Sequence, residues 1–206
     1  MSERQQQGLY RLKPASQRLV APLERWLVAK HVSPDVLTWS AVPVAAAGGA
    51  CLALSSTVPM LLLGVPLLAA ARLALNLLDG MVARRTGASH PMGEVWNELC
   101  DRIADALFIG GLAFVPAAGP AVGLGAVVAA LIASYAGLAA RAAGGRRQYG
   151  GIMSKPGRMA TLAIAAPAAL VTGEPRWLLA AGLVITVGAT VTLVQRVVAA
   201  RAELAR

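Results

Sequence analysis

Half of the ten acidic residues in this sequence lie within one stretch of thirty positions, residues 76–105. They are Asp79, Glu94, Glu98, Asp101 and Asp105, and the region 36–173 holds no other Asp or Glu. Long uncharged segments, 36–71 and 106–140, flank this stretch. Ionisable groups at membrane depth are costly, so they usually line an enclosed site and need a cationic partner. We therefore expect the chemistry of this protein in residues 76–105.

The last four acids of the stretch follow one another at separations of four, three and four residues. On a helix these separations place all four side chains on one narrow face. A short turn at 86–92, which contains glycine and proline, makes the preceding and following helices antiparallel neighbours. The acidic face can therefore meet Asp79 across a gap between the two helices.

Several carboxylates on facing helices would repel one another unless a cation lay among them. Mg²⁺ and Mn²⁺ take oxygen ligands and commonly complete their coordination with substrate phosphates. The cluster therefore predicts a divalent metal site and a phosphorylated or pyrophosphorylated substrate. Gly80, Ala83 and Gly93 leave the helix surfaces bare beside it, and Arg84 can pair with a phosphate group.

Two other interpretations of the acidic cluster stay open. In the first, Arg72 and Arg102 neutralise the acids in internal salt bridges, although five carboxylates outnumber two arginines. In the second, the acids line a proton or cation pathway through the membrane.

Composition places the protein in a membrane. Apolar residues make up 57% of the 206 positions and the mean hydropathy is positive, which is too hydrophobic for a soluble domain of this length. Each uncharged segment exceeds the roughly 20 residues that one spanning helix needs. We expect an all-α polytopic membrane protein with a single domain over 1–206. An amphipathic interfacial helix occupies 1–32 and a bundle of six transmembrane helices occupies 33–206.

Six spans are expected, at about residues 33–55, 59–85, 93–114, 121–142, 159–171 and 177–199. Before them, apolar residues occur at helical spacing among basic residues in 8–30, a pattern typical of a helix that lies in the membrane interface. The glycine-rich basic segment 141–158 is too long to be only a connector.

Membrane topology accounts for the net charge of +9. Six spans place sixteen of the nineteen Lys and Arg residues on one side, and the positive-inside rule makes that side the cytoplasm. Both termini and the acidic site are then cytoplasmic, in a multi-pass protein of the cell membrane. The charge favours contact with anionic membrane lipids and requires no nucleic-acid partner.

The spacing of the polar residues resembles a known motif. Residues 76–101 read NxxDGxxARx8GxxxNxxxD, which is similar to the DxxDGxxARx8GxxxDxxxD motif of the CDP-alcohol phosphotransferases. The segments SPDVLT, CDRIAD, GGIMSKPGR and VQR look like parts of the bacterial phosphatidylinositol phosphate synthases of that family. Six spans and an amphipathic amino-terminal helix are also that family's architecture.

The resemblance implies an enzyme of phospholipid biosynthesis, a homodimer, that moves a phosphatidyl or similar group from a CDP-linked lipid to an alcohol and releases CMP. The donor is usually CDP-diacylglycerol, and two Mg²⁺ or Mn²⁺ ions bridge its diphosphate. Asp79 matches a metal ligand, and Asp101 matches the residue that is both a metal ligand and the base for the acceptor hydroxyl. The positions that match CDP-lipid contacts are Ser33, Pro34, Asp35, Val36, Gly80, Ala83, Arg84, His90 and Gly93.

Two substitutions separate this sequence from the motif, because Asn76 and Asn97 stand where the family has aspartate. An amide still offers a carbonyl oxygen as a ligand, but the affinity for the metal should fall. Glu98 and Asp105 lie close enough along the helix to restore the charge as metal ligands, with one ion moved or lost. The other interpretation is a weakened or inactive family member that keeps the nucleotide groove.

Four basic residues are candidates for binding the acceptor. They are Arg141, Lys155, Arg158 and Arg196, and together they predict an anionic acceptor such as a polyol phosphate. Similar positions bind the acceptor phosphate in the inositol phosphate enzymes, where a lysine is expected at the position of Gly137. The alternative is that these charges serve only membrane topology.

The charge distribution predicts the orientation of the protein. Reporter fusions at the amino terminus and at the carboxyl terminus should both be active in the cytoplasm, because most basic residues lie on that side of six spans. An exported reporter at the carboxyl terminus would contradict the six-span arrangement and would separate the basic segment 141–158 from the acids.

Overall fold

The computed structural model describes residues 13–205, which form an all-helical protein without strands in this part of the chain. The all-α prediction is confirmed. The described residues form seven α-helices: α1 (Lys13–Ala29), α2 (Pro34–Ala53), α3 (Gly64–Thr86), α4 (Pro91–Gly110), α5 (Gly119–Ala142), α6 (Lys155–Thr172) and α7 (Arg176–Leu204). Two short 3₁₀ segments, Pro59–Leu63 and Gly111–Phe114, precede α3 and follow α4.

Four segments are long and apolar enough to cross a membrane: Pro34–Ala53, Pro59–Thr86, Gly119–Ala142 and Arg176–Leu204. They contain α2, α3, α5 and α7 and confirm that this is a membrane protein. The remaining two predicted spans coincide with α4 and α6, which do not meet the same criteria of length and composition. The helix α4 carries four acids and Arg102, and α6 has only 18 residues and begins with charged side chains.

The helix α1 lies against α3, while one of its faces is free of other parts of the described chain. Its Leu27 is buried in a small apolar cluster with Leu37, Leu78 and Val82. Its exposed face carries the apolar side chains of Leu19, Leu23 and Trp26. The interfacial helix predicted for 1–32 is therefore helical from Lys13, and its first twelve residues lie outside the described part of the chain.

Small residues bring α2 and α4 into backbone contact. A Cβ atom added at Gly49 would lie 2.1 Å from the carbonyl oxygen of Leu107, and one added at Gly48 would lie 2.2 Å from the Phe108 ring. Such contacts leave no room for a side chain, as expected where membrane helices pack closely. The helix α2 thus packs against α4 on one side and against α3 on the other.

The turn between α3 and α4 depends on a glycine and a proline, as predicted for residues 86–92. Gly87 ends α3 with a φ of 69°, in the left-handed region that favours glycine. His90 caps α4, and Pro91 occupies its first turn. Because α2 packs against both helices, α3 and α4 meet each other mainly through the polar side chains described below.

We predict that the close contact at Gly49 is essential to stability. The variant Gly49→Ala should lower the free energy of unfolding by about 1–3 kcal/mol, because its Cβ cannot be accommodated without moving the backbone of α4. Thermal unfolding in detergent measures the effect. Gly125→Ala is the matched control, since a Cβ at Gly125 meets nothing within 4 Å. An unchanged melting temperature for Gly49→Ala would contradict the backbone contact.

Candidate active site

Each of the four acids on α4 forms an ion pair with a basic residue from the segment 141–158, which connects α5 to α6 and begins α6. This confirms that the four acids share one face. The pairs are Glu94 with Arg141 at 3.0 Å, Glu98 with Arg147, Asp101 with Lys155, and Asp105 with Arg158 at 2.8 Å. We call this row of pairs the α4 ion-pair row.

Asp105 is the most deeply buried member of the row. Arg72 Nη2 lies 2.7 Å from its Oδ1, and Arg158 Nη2 lies 2.8 Å from its Oδ2. All three residues are about 1% exposed. Since both carboxylate oxygens are already bound by guanidinium groups, Asp105 has no oxygen directed at a metal in this arrangement. Asp105 therefore agrees with the first alternative interpretation of the acidic cluster, in which arginines neutralise the acids in internal salt bridges.

Four residues of the motif converge between α3 and α4, and we call them the amide–carboxylate cluster: Asn76, Asp79, Asn97 and Asp101. The Asn76 amide donates a hydrogen bond from Nδ2 to Asp101 Oδ1 at 2.7 Å. The Asn97 amide donates from Nδ2 to Asp79 Oδ2 at 3.1 Å. The cluster thus consists of two amide–carboxylate pairs, each of which crosses from one helix to the other.

Asp79 is the one acid of residues 76–105 that forms no ion pair with any side chain that the structure describes, those of residues 16–205. It is 3% exposed, and its partners are neutral donors: the hydroxyl of Thr38 at 3.0 Å, the Asn97 amide and the backbone N–H of Gly80. A buried carboxylate without a cation is costly. Asp79 is therefore the position where a bound cation would relieve the largest electrostatic cost.

The donor set of the cluster fits a hard divalent cation. Its carboxylate oxygens, and its amide oxygens once the side chains rotate, are the oxygen ligands that Mg²⁺ and Mn²⁺ prefer. No group of three or more His, Cys, Asp or Glu side chains converges within residues 13–205, because two of the four positions are Asn. Glu98 pairs with Arg147 and does not join the cluster.

The residues predicted to contact the CDP-lipid gather at the start of α2, the end of α3 and the start of α4. His90 joins two of these places, because its Nε2 lies 3.3 Å from Asp35 Oδ2 and its Nδ1 accepts a hydrogen bond from the Gly93 backbone at 3.0 Å. Ser33 caps α2 by accepting from the Asp35 backbone, and Pro34 begins that helix. Val36 follows in the first turn with an exposed side chain.

Gly80 and Arg84 lie one helical turn apart on α3. A Cβ atom added at Gly80 would lie 3.2 Å from Arg84 Nη1, so the bare glycine surface is next to the guanidinium group. Ala83 is half-buried beside them. A groove of about 380 Å³ is lined by Gln17, Glu24, Met81, Arg84 and Arg85, between α1 and α3. Arg84 is therefore exposed in a groove between α1 and α3.

The four residues predicted to bind the acceptor do not converge on one point. Arg141 pairs with Glu94 at the exposed start of α4, whereas Lys155 and Arg158 belong to the deeper part of the α4 ion-pair row. Arg196 lies elsewhere and donates to three backbone carbonyl oxygens, those of Ala133 at 2.6 Å, Gly150 at 2.9 Å and Tyr149 at 3.3 Å.

Gly137 shows why no larger side chain stands at its position. A Cβ atom added there would lie 2.4 Å from the carbonyl oxygen of Gln148, because the loop between α5 and α6 packs directly on α5. The backbone N–H of Gln148 also donates to the Gly137 carbonyl at 3.3 Å. The loop therefore fills the space that a lysine at this position would need.

Sequence reasoning missed two residues of the site. Thr38 donates to Asp79, and its place in the segment SPDVLT, one turn after the α2 cap, was the available signal. Arg147 pairs with Glu98 and also lies over the Tyr149 ring at 4.6 Å from its centroid. Nothing in the basic segment distinguishes Arg147 from Arg146, so its partner depends on how the loop folds.

Three comparisons with known proteins bear on this site. No family model matches the chain. The phosphatidylinositol phosphate synthase of Mycolicibacterium smegmatis is 32% identical over 197 residues, which cover 89% of this chain and 84% of that protein. The corresponding synthase of Corynebacterium glutamicum is 29% identical over 94% of this chain and 88% of its own length. The inner membrane protein YnbA of Escherichia coli is 31% identical over 73% of this chain and 74% of its own.

Solved structures agree with the sequence relatives. The phosphatidylinositol phosphate synthase of Mycobacterium tuberculosis in complex with manganese and citrate matches with a TM-score of 0.73 and 25% identity, over 88% of each chain. The same enzyme with CDP-DAG bound matches with a TM-score of 0.73 and 26% identity, over 90% of this chain and 95% of that one. The motif, the fold and these relatives agree, and the chain belongs to the CDP-alcohol phosphotransferase family.

Proposed function

We propose that this protein transfers a phosphatidyl group from CDP-diacylglycerol to the hydroxyl group of an alcohol and releases CMP. The observation that carries the proposal is the amide–carboxylate cluster. Its Asp79 is buried without an ion-pair partner among the described side chains, and Gly80 and Arg84 follow it on α3. Two solved structures of one relative add support: one contains CDP-DAG and the other contains manganese. Transfer to an alcohol also agrees with a site at the end of membrane helices, where a lipid and a soluble acceptor can meet.

In the proposed reaction, the acceptor oxygen attacks the phosphorus atom that carries the diacylglycerol. A new P–O bond forms to the acceptor, and the bond between that phosphorus and the oxygen of CMP breaks. CMP leaves with the electron pair of the broken bond, and the proton of the acceptor hydroxyl passes to a carboxylate. Asp101 is the proposed proton acceptor, since it is largely buried within the cluster.

Asp79 and Asp101, with the amide oxygens of Asn76 and Asn97, are the residues that would hold Mg²⁺ or Mn²⁺. The ion would neutralise charge on the diphosphate and on the leaving CMP. The contribution of Thr38 is to fix the Asp79 carboxylate through its hydroxyl hydrogen bond. The resulting orientation holds one carboxylate oxygen in place before any ligand arrives.

The nucleotide end of the donor is assigned to the surface formed by Ser33, Asp35, His90, Gly93 and Gly80. His90 and Asp35 hold the starts of α4 and α2 together, which presents two helix amino termini to the same region. Helix amino termini favour anions such as phosphate groups. Arg84 is the proposed partner of the diphosphate, because it is exposed and has no ion-pair partner in residues 13–205.

The helices α4 and α6 complete six spans in this proposal. Their lengths of 20 and 18 residues are close to the roughly 20 residues that a span needs. Their buried charges are paired inside the bundle, as polar groups in membranes usually are. Six spans place both termini and the cluster on the cytoplasmic side, in one six-helix domain.

The helix α1 is proposed to lie in the cytoplasmic interface of the membrane. Its exposed Leu19, Leu23 and Trp26 form the apolar face that such helices insert among lipid head groups. Arg85 pairs with Glu24 at 3.4 Å and links α1 to the end of α3. The homodimer implied by family resemblance remains part of the proposal.

The acceptor is proposed to be a small alcohol or a polyol phosphate that binds beneath the loop between α5 and α6. Lys155 and Arg158 stand at the inner edge of this region and Arg141 at its outer edge. Arg196 has its donors directed at the carbonyl oxygens of Tyr149 and Gly150 in the loop and of Ala133 in α5. Its assigned contribution is therefore to hold the loop, which bounds the acceptor space from the other side.

A second candidate function follows from the ion pair between Asp101 and Lys155. If the ammonium group keeps Asp101 from accepting a proton, the protein binds the CDP-lipid without turnover. Assay of CMP release from CDP-diacylglycerol with Mn²⁺ separates the two, using glycerol 3-phosphate, inositol phosphate, inositol and serine as acceptors. Release with any acceptor supports the transferase.

Loss of either cluster carboxylate should abolish transfer. Asp79→Asn and Asp101→Asn should each reduce metal-dependent CMP release at least about 100-fold, because a ligand charge or the base is lost while the helices remain. Glu174→Gln is the matched control, since it makes the same change in an exposed carboxylate at the opposite end of α6. Activity in both cluster variants near the level of the control would contradict the proposed site.

The assignment of Arg196 gives a separate prediction. Arg196→Gln should lower the melting temperature and reduce CMP release similarly for phosphorylated and unphosphorylated acceptors. Hydrogen bonds to charged groups contribute about 1.5–3 kcal/mol each, and three loop or helix carbonyls lose theirs. Arg176→Gln is the control, because its exposed pair with Glu174 should contribute little. A loss confined to phosphorylated acceptors, with stability unchanged, would assign Arg196 to the acceptor instead.

A further inference from the structure

Lys155 occupies an unusual place for a lysine, inside the amide–carboxylate cluster. It is the first residue of α6, and its side chain is 11% exposed. Its Nζ forms an ion pair with Asp101 Oδ2 and donates to Asn76 Oδ1 at 2.5 Å. The ammonium group therefore lies where two oxygen ligands of the cluster meet.

Asn76 lies between Lys155 and Asp101, where its side chain must both accept and donate a hydrogen bond. Its carbonyl oxygen accepts from Lys155, and its amide nitrogen donates to Asp101 Oδ1 at 2.7 Å. Asn76, Asp101 and Lys155 thus form a closed triangle in which every contact joins a donor to an acceptor. An aspartate at position 76 would bring two carboxylates together at that distance, which requires a cation between them.

The charges of the cluster support the same conclusion. With amides at 76 and 97, the cluster has two negative charges, and two cations pair with Asp101: Lys155, and Arg102, whose Nη2 lies 3.6 Å from Asp101 Oδ2. The sum is therefore zero, and one divalent ion beside Asp79 raises it to plus two before substrate binds. A second divalent ion would have to displace the ammonium group or accept its repulsion at close range.

Resting on the function proposed above, we propose that the Lys155 ammonium replaces one of the two divalent cations of the site. The chain then binds a single Mg²⁺ or Mn²⁺, centred on Asp79 and Asn97, while Lys155 serves as a fixed cation between Asn76 and Asp101. An ammonium group at this place can offer the donor diphosphate a positive charge and hydrogen-bond donors without being loaded from solution.

The experiment is a measurement of Mn²⁺ stoichiometry on purified full-length protein in detergent, by titration followed with the electron paramagnetic resonance signal of free Mn²⁺. Wild-type protein should bind one Mn²⁺ per chain. The double variant Lys155→Met, Asn76→Asp should bind two, because it restores a carboxylate and removes the fixed cation. Asn76→Asp alone should still bind one, since Lys155 remains between the two carboxylates.

The control variant is Lys30→Met, which removes an exposed lysine at the end of α1 and should leave the stoichiometry at one. Thermal unfolding of each variant identifies any that fails to fold. In that case the number of Mn²⁺ ions bound by the wild-type protein alone tests the proposal. Two ions, or none, on wild-type protein would overturn the proposal. So would one ion on a folded double variant.

This test is separate from the test of transferase activity. A wild-type protein that binds two Mn²⁺ and releases CMP would refute the fixed cation and leave the transferase intact. A protein that binds one Mn²⁺ but releases no CMP with any acceptor would refute the transferase and leave the account of Lys155 intact.

Discussion

Compensation of the acidic face of α4 is the constraint on which the rest of the structure depends. Glu98, Asp101 and Asp105 lie inside an apolar bundle, where carboxylates cannot remain unpaired, and each meets a basic residue from the segment between α5 and the first turn of α6. The exposed Glu94 pairs with Arg141 in the last turn of α5. At Asp105 two guanidinium groups and one carboxylate are buried together. Removing the carboxylate would leave two buried cations without a counter-charge, and removing either arginine would leave one carboxylate oxygen without its guanidinium partner. The row therefore holds α6 and the preceding loop against α4 and bounds the site on its inner side.

Asp79, on α3, differs from the acids of the α4 ion-pair row because no described side chain forms an ion pair with it. Neutral donors hold its carboxylate in place, while the nearby Asp101 is matched by Lys155. Charge left over at a single buried position is what a cation-dependent site needs, whereas charge neutralised everywhere would describe a purely structural network. Packing contributes as well, because α2 approaches α4 closely at its glycines and also places Thr38 within hydrogen-bond distance of Asp79 on α3.

Much of this could be predicted from the sequence, and the limits have physical causes. The helical fold, the acidic face and the convergence of residues 76, 79, 97 and 101 follow from periodicity and from a long motif, and both are local in the chain. The partners that come from the segment 141–158 were not predictable, because each lies about fifty residues from its acid and depends on how α6 packs against α3. Arg72 and Arg102 were expected among the neutralising residues, and they pair with Asp105 and, at 3.6 Å, with Asp101. Arg147 could not be distinguished from Arg146 by sequence.

The same dependence on tertiary packing alters how the basic segment is interpreted. A row of arginines and lysines near a phosphate-handling site suggests direct binding of an anion, yet Arg158 and Arg196 are buried with their donors directed at a carboxylate and at backbone carbonyls. Their positive charges remain close to the site even though their hydrogen bonds are used internally. An anionic acceptor would therefore be attracted by the field of this region, and the groups that contact it directly would have to come from the exposed edge of the loop or exchange with an existing ion pair. If the acceptor binds beneath the loop as proposed, its selection would depend on how firmly the loop is held, and the specificity of the reaction would be linked to the same charges that stabilise the fold.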